Sequence, residues 1–159
     1  MKKLIATAAL LLVVPLSASA QNADRQSRGQ GYFFVAPTTN DASVTTGLGG
    51  DAFVYRGLGL GAELAYANHD NGRGVGSANV SYHFLRSAKY KVEPFVTGGF
   101  SLYFGDGVGP GLNLGGGVNL WMSKRAALRF EVRDHEHGDG PFDNDHYRFV
   151  AYRIGLTFR

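Results

Sequence analysis

The chain contains no cysteine, two methionines and a single tryptophan among 159 residues. Without a thiol there is no disulfide framework, no thiolate metal site and no cysteine nucleophile. Long apolar runs are missing as well. Beyond residue 20 none exceeds about four residues, as in Phe33-Phe34-Val35-Ala36, whereas a bilayer-spanning helix needs roughly 20. A helical inner-membrane protein is therefore excluded. Charge of one sign is also scarce: beyond residue 20 there are 14 Lys and Arg against 13 Asp and Glu. No basic stripe marks a nucleic-acid surface, so nucleic acid is not an expected partner. What the chain has in quantity is glycine. All 23 lie after residue 20, and since an interior glycine costs a helix about 1 kcal/mol relative to alanine, long helical bundles are excluded too.

The first twenty residues stand apart. Lys2 and Lys3 precede an apolar run from Leu4 to Leu16 broken only by Thr7 and Pro15, and Ser17-Ala18-Ser19-Ala20 supplies the small residues of an A-x-A cleavage site. This is the pattern of a secretory signal peptide over residues 1–20. Residues 21–28 read as a polar lead-in and 29–159 as one domain.

Within that domain the apolar period is two. Leu58, Leu60, Ala62, Leu64 and Tyr66 alternate with Gly59, Gly61, Glu63, Ala65 and Ala67. The same alternation places Ala78, Val80, Tyr82 and Phe84 on one face. It does so again for Val96, Phe100, Leu102 and Phe104, for Leu112, Leu114, Val118 and Leu120, for Leu128, Phe130 and Val132, and for Tyr152, Ile154, Leu156 and Phe158. With weaker segments at about 30–37 and 44–55, eight strands are expected. Strands of about 10 residues use roughly 80 of the 139 residues left after the leader, and an even antiparallel meander can close and remove its edges.

The connections alternate in character. Arg56, Arg86, Lys89, Lys91, Lys124 and Arg125 fall in one set; 37–43, 68–74, 105–110 and 134–145 form the other, rich in Gly, Asp, Asn and Pro. In an up-and-down barrel the two sets lie at opposite ends.

Alternation alone leaves open which face is wet. A secreted lipocalin-like barrel would hold its apolar face inward around a small apolar ligand, whereas a membrane barrel turns it outward. The polar parity carries Asp51, Glu63, Glu93, Arg129, Glu131, Arg133 and Arg153 among Gly, Ser, Asn and Thr. Four acids against three bases suit a closed interior held by mutual ion pairs, and small neighbours leave room for long charged side chains.

The terminal alternation Tyr152-x-Ile154-x-Leu156-x-Phe158, the glycine-rich segments Gly47-Leu48-Gly49-Gly50 and Gly115-Gly116-Gly117-Val118, and the leader together resemble the OmpA/OmpX-type outer-membrane barrel family of Gram-negative bacteria. The resemblance extends over residues 29–159. It implies an eight-stranded, antiparallel, up-and-down transmembrane β-barrel with both termini periplasmic. It further implies that Tyr152, Ile154, Leu156 and Phe158 form the signal read by the barrel-insertion machinery. Outer-membrane lipids and lipopolysaccharide are the implied partners of a monomer. Tyr66, Tyr82, Phe84, Phe104, Trp121 and Phe158 fall toward strand ends, where interfacial aromatic girdles are expected.

Chemistry-bearing motifs are few. There is no G-x-G-x-x-G and no G-K-[ST], so the glycines are expected to accommodate large neighbours and bends rather than phosphates. No cofactor is expected. His135, His137 and His146, among Asp134, Glu136, Asp139, Asp143 and Asp145, form the one candidate metal cluster, although neither an EF-hand loop nor H-E-x-x-H is present. Some small outer-membrane barrels modify lipid A, one group through a His-x-Ser-Asn motif. The nearest stretch here, Asn68-His69-Asp70-Asn71, lacks the serine on which acyl transfer depends. The expected role is accordingly non-enzymatic: a structural component of the envelope with surface loops available for contact. A lipocalin-like carrier and a lipid-modifying enzyme remain the alternatives.

Overall fold

The computed structural model describes residues 28–39, 44–68, 73–84, 91–105, 108–138 and 146–159. Leader residues 1–20 and lead-in residues 21–27 lie outside them. Eight strands follow in order: β1 Gly29–Pro37, β2 Val44–Tyr55, β3 Leu58–Asn68, β4 Arg73–His83, β5 Val92–Phe104, β6 Val108–Trp121, β7 Ala126–Gly138 and β8 His146–Phe158. Each pairs antiparallel with its sequence neighbour, and β1 pairs with β8, so the sheet is a closed barrel. Closure satisfies the main-chain hydrogen bonds within the wall, the condition for a β structure to cross lipid. No helix of the described residues is long and apolar enough to do so.

With an even number of strands, the start of β1 and the end of β8 lie at one end of the barrel. The tight turns lie at that end as well. Arg56 (φ 25°) and Gly57 (φ 94°) form a two-residue hairpin loop with both residues left-handed, the geometry that follows the twist of paired strands. A Cβ on Gly57 would fall 2.4 Å from the His83 carbonyl oxygen. Between β6 and β7 the Ser123 hydroxyl accepts from the Arg125 and Ala126 amides at 3.2 and 3.0 Å. At the other end β6 begins at Val108 and β7 runs on to Gly138. Gly109, Pro110 and the 134–138 stretch, expected as loop, are therefore strand.

The β1–β8 seam is regular from Gly31 opposite Phe158 to Val35 opposite Ile154. Pro37 has no N–H with which to continue it. An isolated bridge joins Thr38 to Ala151, and Thr39 closes the end, its amide donating to Val150 O (3.1 Å) and its hydroxyl accepting from the Val150 amide (3.2 Å).

Alternation along the strands sorts side chains by chemistry. Leu60, Leu114 and Ile154 are 53, 70 and 52% exposed on the outer surface, whereas Glu63 and Arg129 are 3 and 2% exposed inside. Apolar side chains thus cover the outside, the reverse of a soluble barrel. The run Phe33-Phe34-Val35-Ala36 is split by the same rule, with Phe33 and Val35 outside, and Phe34 and Ala36 inside.

The interior is not wholly polar. Tyr32, Phe34, Phe95, Tyr103 and Trp121 are buried in it, and glycines on facing strands make the space. A Cβ on Gly47 would lie 2.4 Å from Phe34 Cζ, and one on Gly117 2.9 Å from Phe95 Cζ. Trp121 departs from the girdle position expected of it. Its indole N–H needs an acceptor, which Glu93 provides inside. Tyr66, Tyr82, Phe84, Phe104 and Phe158 are on the outer surface.

Candidate functional site in the barrel interior

The charged residues of the inward parity fall into two groups. The larger joins β3, β7 and β8. Glu131 lies between Arg129 and Arg133, its two neighbours on the same face of β7. It accepts from Arg129 Nε and Nη2, both at 2.9 Å, and from Arg133 Nε at 2.5 Å. Across the barrel, Glu63 Oε2 accepts from Arg133 Nη1 (3.1 Å), Arg153 Nη1 (2.8 Å) and the Tyr32 hydroxyl (3.1 Å). Two carboxylates thus hold three guanidinium groups, and aromatic faces take the excess. The Arg129 guanidinium carbon lies 4.2 Å from the Tyr32 ring centre and 3.9 Å from that of Phe95, and Arg153 lies 4.1 Å above Phe34.

The second group lies toward the end that carries the termini. Asp51 accepts from Gln30 Nε2 (3.0 Å) and the Ser81 hydroxyl (3.2 Å), with His83 Nε2 at 3.7 Å. Glu93 accepts from His83 Nδ1 (2.9 Å), Trp121 Nε1 (3.1 Å) and Asn119 Nδ2 (3.3 Å). His83 links the two acids and stacks on Phe95 at 5.1 Å. At the rim Arg159 lies 3.7 Å over the Trp121 ring and 3.7 Å from Glu93 Oε2.

The seven inward charges expected from the sequence are therefore all buried, but Asp51 and Glu93 do not meet the β7 arginines in direct ion pairs. Their bridging partner, His83, was not singled out by sequence reasoning. Its signal was present, since His83 shares the inward parity of Ser77, Asn79 and Ser81. Tyr32 and Trp121 were missed as ligands of the acids because they read as apolar.

His135, a candidate metal ligand, is a strand residue turned inward. Arg153 Nη2 donates to its Nε2 at 3.1 Å, and because a guanidinium only donates, the ring proton sits on Nδ1, 2.9 Å from the Tyr103 hydroxyl. Phe149 stacks on the ring at 4.8 Å. These partners occupy both ring nitrogens. The backbones of His137 and His146 belong to β7 and β8; their side chains, and residues 139–145, lie outside the described residues. Among the described residues no three His, Asp or Glu side chains converge as metal ligands do. Tyr152, Ile154, Leu156 and Phe158 line the outer face of β8 in unbroken alternation, and the Phe158 ring stacks on Phe33 with centroids 6.1 Å apart.

No family model and no curated protein matches the chain. Solved structures do. The chain is similar to the N-terminal β-barrel domain of Pseudomonas aeruginosa OprF, with a TM-score of 0.63 at 13% identity over 82% of this chain and 96% of that one. Neisserial surface protein A gives 0.64 at 13% identity over 82 and 94%. The outer membrane enzyme PagL gives 0.52 at 14% identity over 82 and 99%. The fold is that of an eight-stranded outer-membrane β-barrel, an architecture that serves both enzymes and non-enzymes.

Proposed function

We propose that the protein is an integral component of the Gram-negative outer membrane, exported by its leader, with a structural role in envelope integrity and a surface available for contact at the loop end. The observation that carries this reading is the interior. Five buried charges from β3, β7 and β8 interlock through Glu63 and Glu131, and they fill the middle of a barrel whose outer face is apolar. An eight-stranded wall has an interior just wide enough for such side chains and no wide pore. Lipid surrounds the apolar face, and the outer face of β8, ending at Phe158, serves as the insertion signal, as in the family the sequence resembles.

The likeness to PagL keeps one rival in view, a lipid-modifying enzyme. Against it, Asn68-His69-Asp70-Asn71 carries no serine, and His83 and His135 are both engaged inside the wall. Deleting the gene and assaying the outer membrane's barrier to detergent and large dyes, with lipid A mass measured in parallel, tests the reading. A leakier envelope with unchanged lipid A supports it. An intact barrier with a lipid A mass shift on overexpression overturns it in favour of the enzyme.

A further inference from the structure

At the end of the barrel that carries the termini, two neighbours of His83 compete for one of its nitrogens. Nδ1 lies 2.9 Å from Glu93 Oε1, and because a carboxylate only accepts, that nitrogen keeps its proton whatever the charge on the ring. Nε2 has a donor and an acceptor beside it, Gln30 Nε2 at 3.4 Å and Asp51 Oδ2 at 3.7 Å. The Gln30 amide nitrogen is fixed as a donor by its own bond to Asp51 Oδ2 at 3.0 Å. A bare Nε2 accepts from Gln30 on β1. A protonated Nε2 repels that N–H and donates to Asp51 on β2. The ring is placed for either arrangement, and one proton decides between them.

The charged groups about the ring come from four elements. Asp51 belongs to β2, Glu93 to β5 and Arg129 to β7, and Arg159 follows β8. Arg129 lies 3.9 Å from the centre of the Phe95 ring, on which His83 stacks at 5.1 Å, and Arg159 lies 3.7 Å from Glu93 Oε2. β1 and β6 bring the uncharged Gln30, Asn119 and Trp121, and the nearby inward positions of β3, Gly59 and Gly61, have no side chain. An unperturbed imidazole changes charge between about pH 5 and 8, whereas free carboxylates and guanidinium groups do so outside that range.

From this geometry we propose that His83 is a proton-operated latch on the lumen. A proton gained at Nε2 exchanges Gln30 for Asp51 and sets an imidazolium between two acids, tying β2, β4 and β5 together at this end. Loss of the proton returns Nε2 to Gln30 and leaves Asp51 and Glu93 with a neutral ring between them. Glu93 carries the change outward. Its Oε2 accepts from Trp121 Nε1 at 3.1 Å, and Arg159 lies 3.7 Å over the Trp121 ring, so two side chains at the rim hang on the acid that His83 holds. Mild acid tightens this end of the barrel and mild alkali loosens it. The latch goes beyond the envelope role proposed above and does not depend on it.

Trp121 is the only tryptophan of the chain, so its emission reads the latch directly. Full-length protein refolded in detergent micelles is titrated from about pH 5 to about pH 9, with heat-modifiable gel mobility reporting the folded barrel throughout. Wild type is expected to show one transition, its emission moving to longer wavelength and its quenching by acrylamide rising as the proton leaves. His83→Gln, neutral at every pH, is expected to lose that transition. A variant combining His69→Gln, His137→Gln and His146→Gln, all at the loop end, is expected to keep it, and it tests the latch even if His83→Gln does not refold. The remaining histidine, His135, accepts from Arg153 at Nε2 and has no place there for a second proton. A folded wild type whose emission and quenching stay constant, a transition of the same size in His83→Gln, or its loss from the combined variant each overturns the latch.

Discussion

Arg153 Nη1 and Glu63 Oε2 meet at 2.8 Å although 90 positions separate them in the chain. The contact spans the barrel from β8 to β3, and the same oxygen receives Arg133. One carboxylate therefore ties three strands across the lumen, and Glu63, Arg133 and Arg153 are all buried there.

Replacing Glu63 by glutamine should be among the most damaging single changes. It leaves Arg133 and Arg153 buried with one acid fewer, and breaking a buried pair costs about 3–5 kcal/mol. Arg129→Ala should destabilise less, since Glu131 keeps Arg133, yet more than the exposed turn substitution Lys124→Ala. Urea midpoints followed by heat-modifiable mobility rank the three. Equal midpoints would remove the network from the account of stability.

Gly47 is the space into which Phe34 packs. Gly47→Val should cost about 1–3 kcal/mol by overpacking, because a Cβ there meets both Phe34 Cζ (2.4 Å) and the Leu64 carbonyl oxygen (2.9 Å). Trimming the ring with Phe34→Ala in the same chain should recover only part of the loss, since the carbonyl does not move away. Additive losses in that pair of substitutions would show that the two positions do not compete for the same volume.

The outer face can be probed by charge. Leu48, exposed on β2, replaced by arginine should lower stability in bilayers by about 2–4 kcal/mol if it sits near the midplane. A barrel in water would tolerate the same change. Refolding into lipid vesicles at a series of urea concentrations gives the difference directly.

Phe158 ends the outward alternation of β8 and stacks on Phe33. If it is part of an insertion signal, Phe158→Ser should reduce the folded outer-membrane fraction in cells much more than it lowers the refolded yield in detergent. Equal reductions in both settings would make Phe158 a packing residue only.

Much of this is legible in the amino-acid sequence. Residues such as Leu60 and Glu63 reveal their faces because a strand alternates with period two and the two environments differ sharply. Where the inward layer is itself aromatic, the alternation disappears, which is why Phe33 to Ala36 read as a plain apolar run and why Trp121 was placed on the outer girdle. Which acid meets which base was not legible. Glu63 and Arg153 are brought together by barrel closure and register, neither of which is local in sequence. The subdivision by His83 depends on the same cross-barrel geometry. Strand ends at the loop side were misjudged for a simpler reason: Gly109, Pro110 and the acidic stretch from Asp134 have turn-like composition, yet pairing with the facing strand carries them into the wall.

The central claim is that apolar side chains face lipid and ionised ones face each other. Because the chain has no cysteine, single labelling sites can be introduced without background. Nitroxide labels on Leu60→Cys, Leu114→Cys and Ile154→Cys, compared with Thr97→Cys and Ser101→Cys, report collision with oxygen dissolved in the bilayer and with a water-soluble nickel chelate. The account predicts strong oxygen and weak chelate collision at the first three sites, and poor access to both reagents at the two interior sites. Ready chelate access at Leu60, Leu114 and Ile154 in a vesicle-bound, folded protein would contradict it.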